Sequence, residues 1–138
     1  MMKGKLTSEE ITKLAPHEIF VFGSNLQGQH VGGAAKIAYE KFGAEWGMEE
    51  GETGKTYAIP TVDFTTESQM ELEDIKMFVH RFIEHVKVNA NKKYIVTAIG
   101  CGIAGFKPSE IAPMFSECLF IGNVSLPKTF WDNIKNVN

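Results

Sequence analysis

Two glycine-rich turns stand out by residue type and spacing. The first, FGSNLQGQHVGGAAKIA (22–38), sets Asn25, Gly28, His30, Gly32 and Gly33 between an aromatic and β-branched run and a helical pattern. The second, TAIGCGIAGFKPSEIA (97–112), sets Gly100, Cys101, Gly102 and Gly105 between another such run and Pro108. Glycine lets a ligand reach contact distance of the main chain, and successive amide N–H groups at a helix start form a ready anion cradle. One such loop is a weak signal, because glycine after a strand also closes tight turns. Two at the same sheet edge point to a grip on a diphosphate.

The elements that must position these turns can be read from pattern. Strand-like runs occupy 18–24, 56–62, 93–100 and 123–127, all rich in β-branched or aromatic residues. Between them, 71–88 repeats Leu72, Ile75, Phe78, Val79, Phe82, Ile83 and Val86 at three- and four-residue steps, which predicts an amphipathic helix. His80 and His85 fall off that stripe and read as solvated. Further helices are predicted over 32–42 and over 108–118, where Pro108 suits a first turn. The order β-α-β-α-β-α-β, with strands reading as nearly continuous apolar runs, predicts a three-layer α/β/α sandwich around a mainly parallel sheet. Ligands of such sheets sit beyond the carboxyl ends of the strands, where both glycine turns fall. Two segments look loosely specified: residues 1–16, and the loop GAEWGMEEGETGK (43–55), which reads either as a solvated connection or as a flap with Trp46 and Met48 as its apolar contacts.

Composition narrows the function classes. A chain of 138 residues, 43% hydrophobic, is one domain's worth and long enough to bury a core unaided. A net charge of −3 removes the electrostatic reason to expect nucleic acid or an anionic membrane as partner. The two cysteines, Cys101 and Cys118, form no CxxC pair and have no ligand-spaced neighbours, so no metal site, cofactor or disulfide framework is expected. No run approaches the roughly 18 to 20 apolar residues of a membrane span, and no export signal follows the first lysines; the cytoplasm is the expected compartment. Nothing bears on oligomeric state.

Familiar phosphate motifs do not fit. There is no GxxxxGK[ST], and the first loop lacks GxGxxG spacing and a later acidic residue. The pair of loops instead resembles the macro domain, in particular the short macro-like proteins of bacteria and bacteriophages. Its first loop reads roughly N-x-x-L-x-G-G-G-V-x-x-A-I and its second roughly S-T-G-x-[YF]-G-[FY]-P. Here Asn25 and GQHVGGAA (28–35) match the first, GCGIAGFKP (100–108) the second, and GKTYAIPT (54–61) the strand between. The resemblance covers roughly 19–127 and implies an ADP-ribose-binding α/β fold. It implies ligand contacts from Asn25, Gly28, His30, Val31, Gly32 and Gly33 on one side, and from Gly100, Cys101, Gly102, Ile103, Ala104, Gly105 and Phe106 on the other. Departures count as well. The G-D-[IV] turn whose aspartate reads adenine has no counterpart, Gly32 aligns with a carboxylate that some hydrolytic members use, and Ala104 aligns with the aromatic that covers the distal ribose.

Individual side chains carry paired readings. His30, at a glycine position of the family loop, reads as a phosphate donor or general acid–base group, or as a packing residue. Cys101 reads as a nucleophile or, more simply, as a small buried residue. Phe106 and Tyr57 offer ring faces to a ligand or belong to the core, and Asp63 binds sugar hydroxyls or forms a turn. The function expected is binding of ADP-ribose or a related NAD-derived nucleotide, with hydrolysis of an ADP-ribosyl derivative in question. The alternatives are a protein that sequesters or senses such a nucleotide, and an interaction module that has lost it.

Overall fold

The computed structural model describes residues 4–8 and 11–135. Six strands, β1 (Lys5–Leu6), β2 (Glu18–Asn25), β3 (Gly51–Thr53), β4 (Thr56–Val62), β5 (Lys93–Val96) and β6 (Val124–Leu126), form one sheet in the order β1-β6-β5-β2-β4-β3. Every pairing is parallel except β3 with β4. The helices are α1 (Gly33–Lys41), α2 (Leu72–Val88), α3 (Pro108–Ile111) and α4 (Lys128–Lys135), with a 3-10 stretch over Ala112–Phe120.

Alternation along the strands sorts the core into two layers, because successive side chains leave a strand on opposite faces. Phe20 and Phe22 of β2 and Ala58 of β4 pack with Ala35 and Ala38 of α1 on one face. Ile19, Val21, Tyr57 and Ile59 pack with Ile75, Val79, Phe82 and Val86 of α2, and with Phe115 and Phe130, on the other. The fold is therefore mixed α/β, with a mostly parallel sheet covered on both faces. Among the described residues, no helix is long and apolar enough to cross a membrane.

Several expected boundaries move, each for a local reason. The helix predicted over 108–118 is α-helical only to Ile111, because Pro113 has no N–H to donate and the chain continues as a 3-10 stretch. The strand predicted to reach 100 stops at Val96, where its ladder with β2 ends at Val21. The 43–55 connection is partly strand: Gly51–Thr53 folds back antiparallel on β4. That edge strand also corrects the reading of His85. Its Nε2 lies 2.8 Å from Glu52 Oε1, which also accepts the Tyr94 hydroxyl at 2.8 Å, while Lys92 pairs with Oε2. Burial works against the Glu52 charge, yet bonds from Lys92, His85 and Tyr94 outweigh it and hold the carboxyl below its usual range. His80 is exposed, as expected. At the termini, β1 pairs with β6, and α4 buries Phe130 and Ile134; neither element is apparent from pattern. The remainder of the 1–16 stretch, where described, is irregular, with Ile11 and Leu14 against the α1 layer; residues 1–3 and 9–10 lie outside the described residues.

Candidate functional site

The carboxyl ends of β5, β2 and β4 lie side by side at one sheet edge. The chain leaving β2 turns onto the α1 face, whereas the chains leaving β4 and β5 lead to α2 and α3 on the other. Loops that diverge in this way leave a crevice between them. It is a cavity of about 330 Å³ walled by both glycine loops and by the β4 exit.

The structure brings together Asn25, Val31, Gly32 and Gly33 from the first loop with Gly100, Cys101, Gly102, Ile103 and Ala104 from the second. The loops approach closely: a Cβ added at Gly32 would stand 3.3 Å from Ile103 Cδ1. Gly28, His30, Gly105 and Phe106 do not line the cavity. Gly28 is instead pressed against a neighbouring segment, since a Cβ there would stand 2.4 Å from the Gly47 carbonyl carbon. Phe106 is 6% exposed and belongs to the core beside α2, as does Tyr57.

His30 is 2% exposed, with its ring against Phe22, Tyr39 and Trp46. Nε2 donates to the Glu45 carbonyl at 2.7 Å, which leaves Nδ1 buried without a partner. The Gly47 amide donates to the Gly28 carbonyl at 2.8 Å, and the Ser24 hydroxyl donates to the Glu49 carbonyl. Residues 45–49 thus form a backing for the first loop, and His30 faces that backing while Gln29 and Val31 face the cavity. Asn25 works within the loop, donating from Nδ2 to the Gln29 carbonyl at 2.6 Å and accepting the Gln29 amide at 2.9 Å.

The cavity's electrostatics come from the main chain. No Asp, Glu, Lys, Arg or His side chain lines it among the described residues. The first intrahelical bond of α1 runs from the Lys36 amide to the Gly32 carbonyl, so the amides of Gly33, Ala34 and Ala35 precede the ladder; the N-cap, Gly32, supplies no side-chain bond. Across the cavity, the amides of Gly102, Ile103 and Ala104 donate to no main-chain carbonyl among the described residues. Two sets of uncommitted donors and one positive helix end therefore border a neutral space, an arrangement that attracts an anion. Gly33 has φ +57, a left-handed conformation that glycine adopts freely, and it sets the entry angle of α1.

Groups able to carry covalent or proton-transfer chemistry are few. The Cys101 thiol donates to the Ile99 carbonyl at 3.5 Å, and burial, with Glu110 nearby, pushes its pKa up, so it remains a thiol. Asp63 forms a turn: Oδ1 accepts the Thr65 hydroxyl at 2.7 Å, the Thr65 amide at 2.9 Å and Gln27 Nε2 at 3.0 Å, bonds that hold the carboxyl below its usual range. Among the described residues no group of three or more His, Cys, Asp or Glu is placed to hold a metal ion.

Sequence reasoning missed the third wall. Thr61, Val62 and Phe64 line the cavity from the β4 exit, and Thr97, Ala98 and Ile99 from the β5 exit. The strand-exit rule at PTVDF points to Asp63, and one residue further along it reaches Phe64. Two further cavities share walls with the first. One, of about 520 Å³, shares Gly33, Ala34, Thr97 and Ala98 and is otherwise walled largely by Ile11, Phe20, Ile37 and the chain entering α4. The other, of about 190 Å³, shares Thr61, Val62, Phe64, Ile103 and Ala104.

Compared with protein-family models, with curated proteins and with solved structures, the chain matches none.

Proposed function

We propose that this chain binds ADP-ribose or a closely related NAD-derived nucleotide and holds it without turning it over. The observation that carries the reading is the facing pair of glycine loops with uncommitted amides on both sides of one uncharged cavity. A diphosphate suits that space, since main-chain donors and a helix N-terminus bind anions with no counter-charge from a side chain. The larger cavity beside Gly33 and Ala34 is apolar enough for a base. The likeness of both loops to macro-domain motifs favours the same ligand class. Capture rather than hydrolysis is supported by the lining: among the described residues it contains no carboxylate or imidazole to activate water, and the Cys101 thiol stays protonated.

A thermal-shift comparison tests the reading. A ligand at one hundred times its Kd stabilises a protein by about 2.7 kcal/mol. ADP-ribose is expected to raise the melting temperature more than AMP or ribose 5-phosphate does, because only a diphosphate engages both loops. Equal shifts for all three would refute it, and steady release of product from an ADP-ribosylated carboxylate would refute capture.

A further inference from the structure

We propose that Phe64 is the ligand-contacting residue that reads the far end of the nucleotide, laying its ring against the sugar on the side of the diphosphate away from the base. The inference rests on the nucleotide reading and adds which chemical group distinguishes the preferred ligand. Three observations carry it. Phe64 is the only aromatic side chain, among the described residues, that lines either the central cavity or the smaller one beyond it, so it stands where the two meet. It is 44% exposed, unlike Phe106 and Tyr57, and has apolar surface left to cover. Its main chain is fixed from the first loop: the Phe64 amide donates to Gln27 Oε1 at 2.8 Å, while Gln27 Nε2 donates to Asp63 Oδ1 at 3.0 Å.

Polarity along the groove assigns the group that meets this ring. The large apolar cavity beside Gly33 and Ala34 takes the base, and the facing amides take the diphosphate. The portion of the ligand beyond its second phosphate must then emerge at the opposite end, between Phe64, Ile103 and Ala104. A sugar presents C–H groups on one face and hydroxyls at its edge; an aromatic ring covers the first, while Asp63, Thr66, Glu67 and Gln69, which line the same small cavity, suit the second.

Calorimetric titration of the wild type, Phe64→Ala and Phe64→Trp with ADP-ribose and with ADP, which ends at the second phosphate, tests the assignment. Phe64→Ala should weaken ADP-ribose by about tenfold, the order expected for a lost stacking contact, and ADP by less than twofold. Phe64→Trp should keep the preference, and both variants should melt within a degree or two of wild type. Equal loss for both ligands, loss for ADP alone, or unchanged affinity for ADP-ribose would each overturn the assignment while leaving nucleotide binding intact. A wild type that binds neither ligand would overturn the nucleotide reading and this inference with it.

Discussion

Replacing Gly102 with valine separates a phosphate cradle from a tight turn. Gly102 does not adopt the left-handed conformation, and a Cβ built there meets nothing within 4 Å, so the folded state has room for the larger side chain. Its cost to stability should stay within the roughly 0.5 kcal/mol typical of surface changes. The added carbons nevertheless enter space beside a cavity of about 330 Å³ and stand next to amides that the ligand is to use. Losing one charge-assisted hydrogen bond is worth about 1.5–3 kcal/mol, or about tenfold to a hundredfold in Kd. Gly33→Val is the contrasting variant: it too has open space, but at φ +57 a β-branched residue is strained by about 1–3 kcal/mol, so this change should lower the denaturation midpoint visibly. The assay pairs urea midpoints with calorimetric titration of ADP-ribose for both variants. A folded Gly102→Val protein that binds like the wild type would show that the second loop's amides grip nothing.

His30→Phe keeps an aromatic body against Phe22 and Trp46 but removes the donor to the Glu45 carbonyl; it should cost about 1–3 kcal/mol in a urea midpoint and weaken ADP-ribose far less than Gly102→Val does, whereas the reverse pattern would place the imidazole on the ligand. Acid should loosen the β3 edge. The Glu52 carboxyl is held below its ordinary value of 4.5, so its contribution is fully present above that pH and is lost as pH falls through the lowered folded value. Midpoints measured from pH 7 down to pH 3 should therefore show Glu52→Gln less stable than wild type at neutrality and the gap narrowing below 4.5; a constant gap would exclude the carboxylate's charge as the cause.

The parts of this molecule that could be read from sequence are those whose physics is local. The short run Ile19–Phe22, β-branched and aromatic throughout and bounded by Glu18 and Gly23, marks a strand buried on both faces, and the three- and four-residue stripe from Leu72 to Val86 marks α2. Strand β3 was hidden because Glu52 looks like a solvated residue until Lys92, His85 and Tyr94, distant in the chain, are brought to it. The same holds at the site. Both glycine loops were legible, since a turn after a strand is a local signature, and Asn25, Val31, Cys101, Ile103 and Ala104 do reach the cavity, but which neighbouring side chains turn away from it, and which come from the β4 exit, was not. Phe106 and Phe64 each come after a strand exit. The Phe106 amide donates to the Gly100 carbonyl at 2.9 Å and its ring sinks into the core, whereas Gln27 holds Phe64 at the rim. His30 and Val31 are adjacent, yet one is 2% exposed and the other 58%, an orientation set by the distant 45–49 segment.

The order of the sheet carries a consequence for how this chain behaves in a crowded solution. Its longest strands, β2 and β4, are interior, and the two outermost strands are only two and three residues long. Unpaired strand edges template polymerisation between molecules, and short outer strands are one of the ways proteins blunt them. Beyond Ala58, where pairing with β3 stops, β4 runs on without a strand outside it, and there Pro60 offers no N–H to an incoming chain. Such a sheet has little backbone with which to recruit another copy, so the chain should stay dispersed at concentrations where a long border would seed fibres.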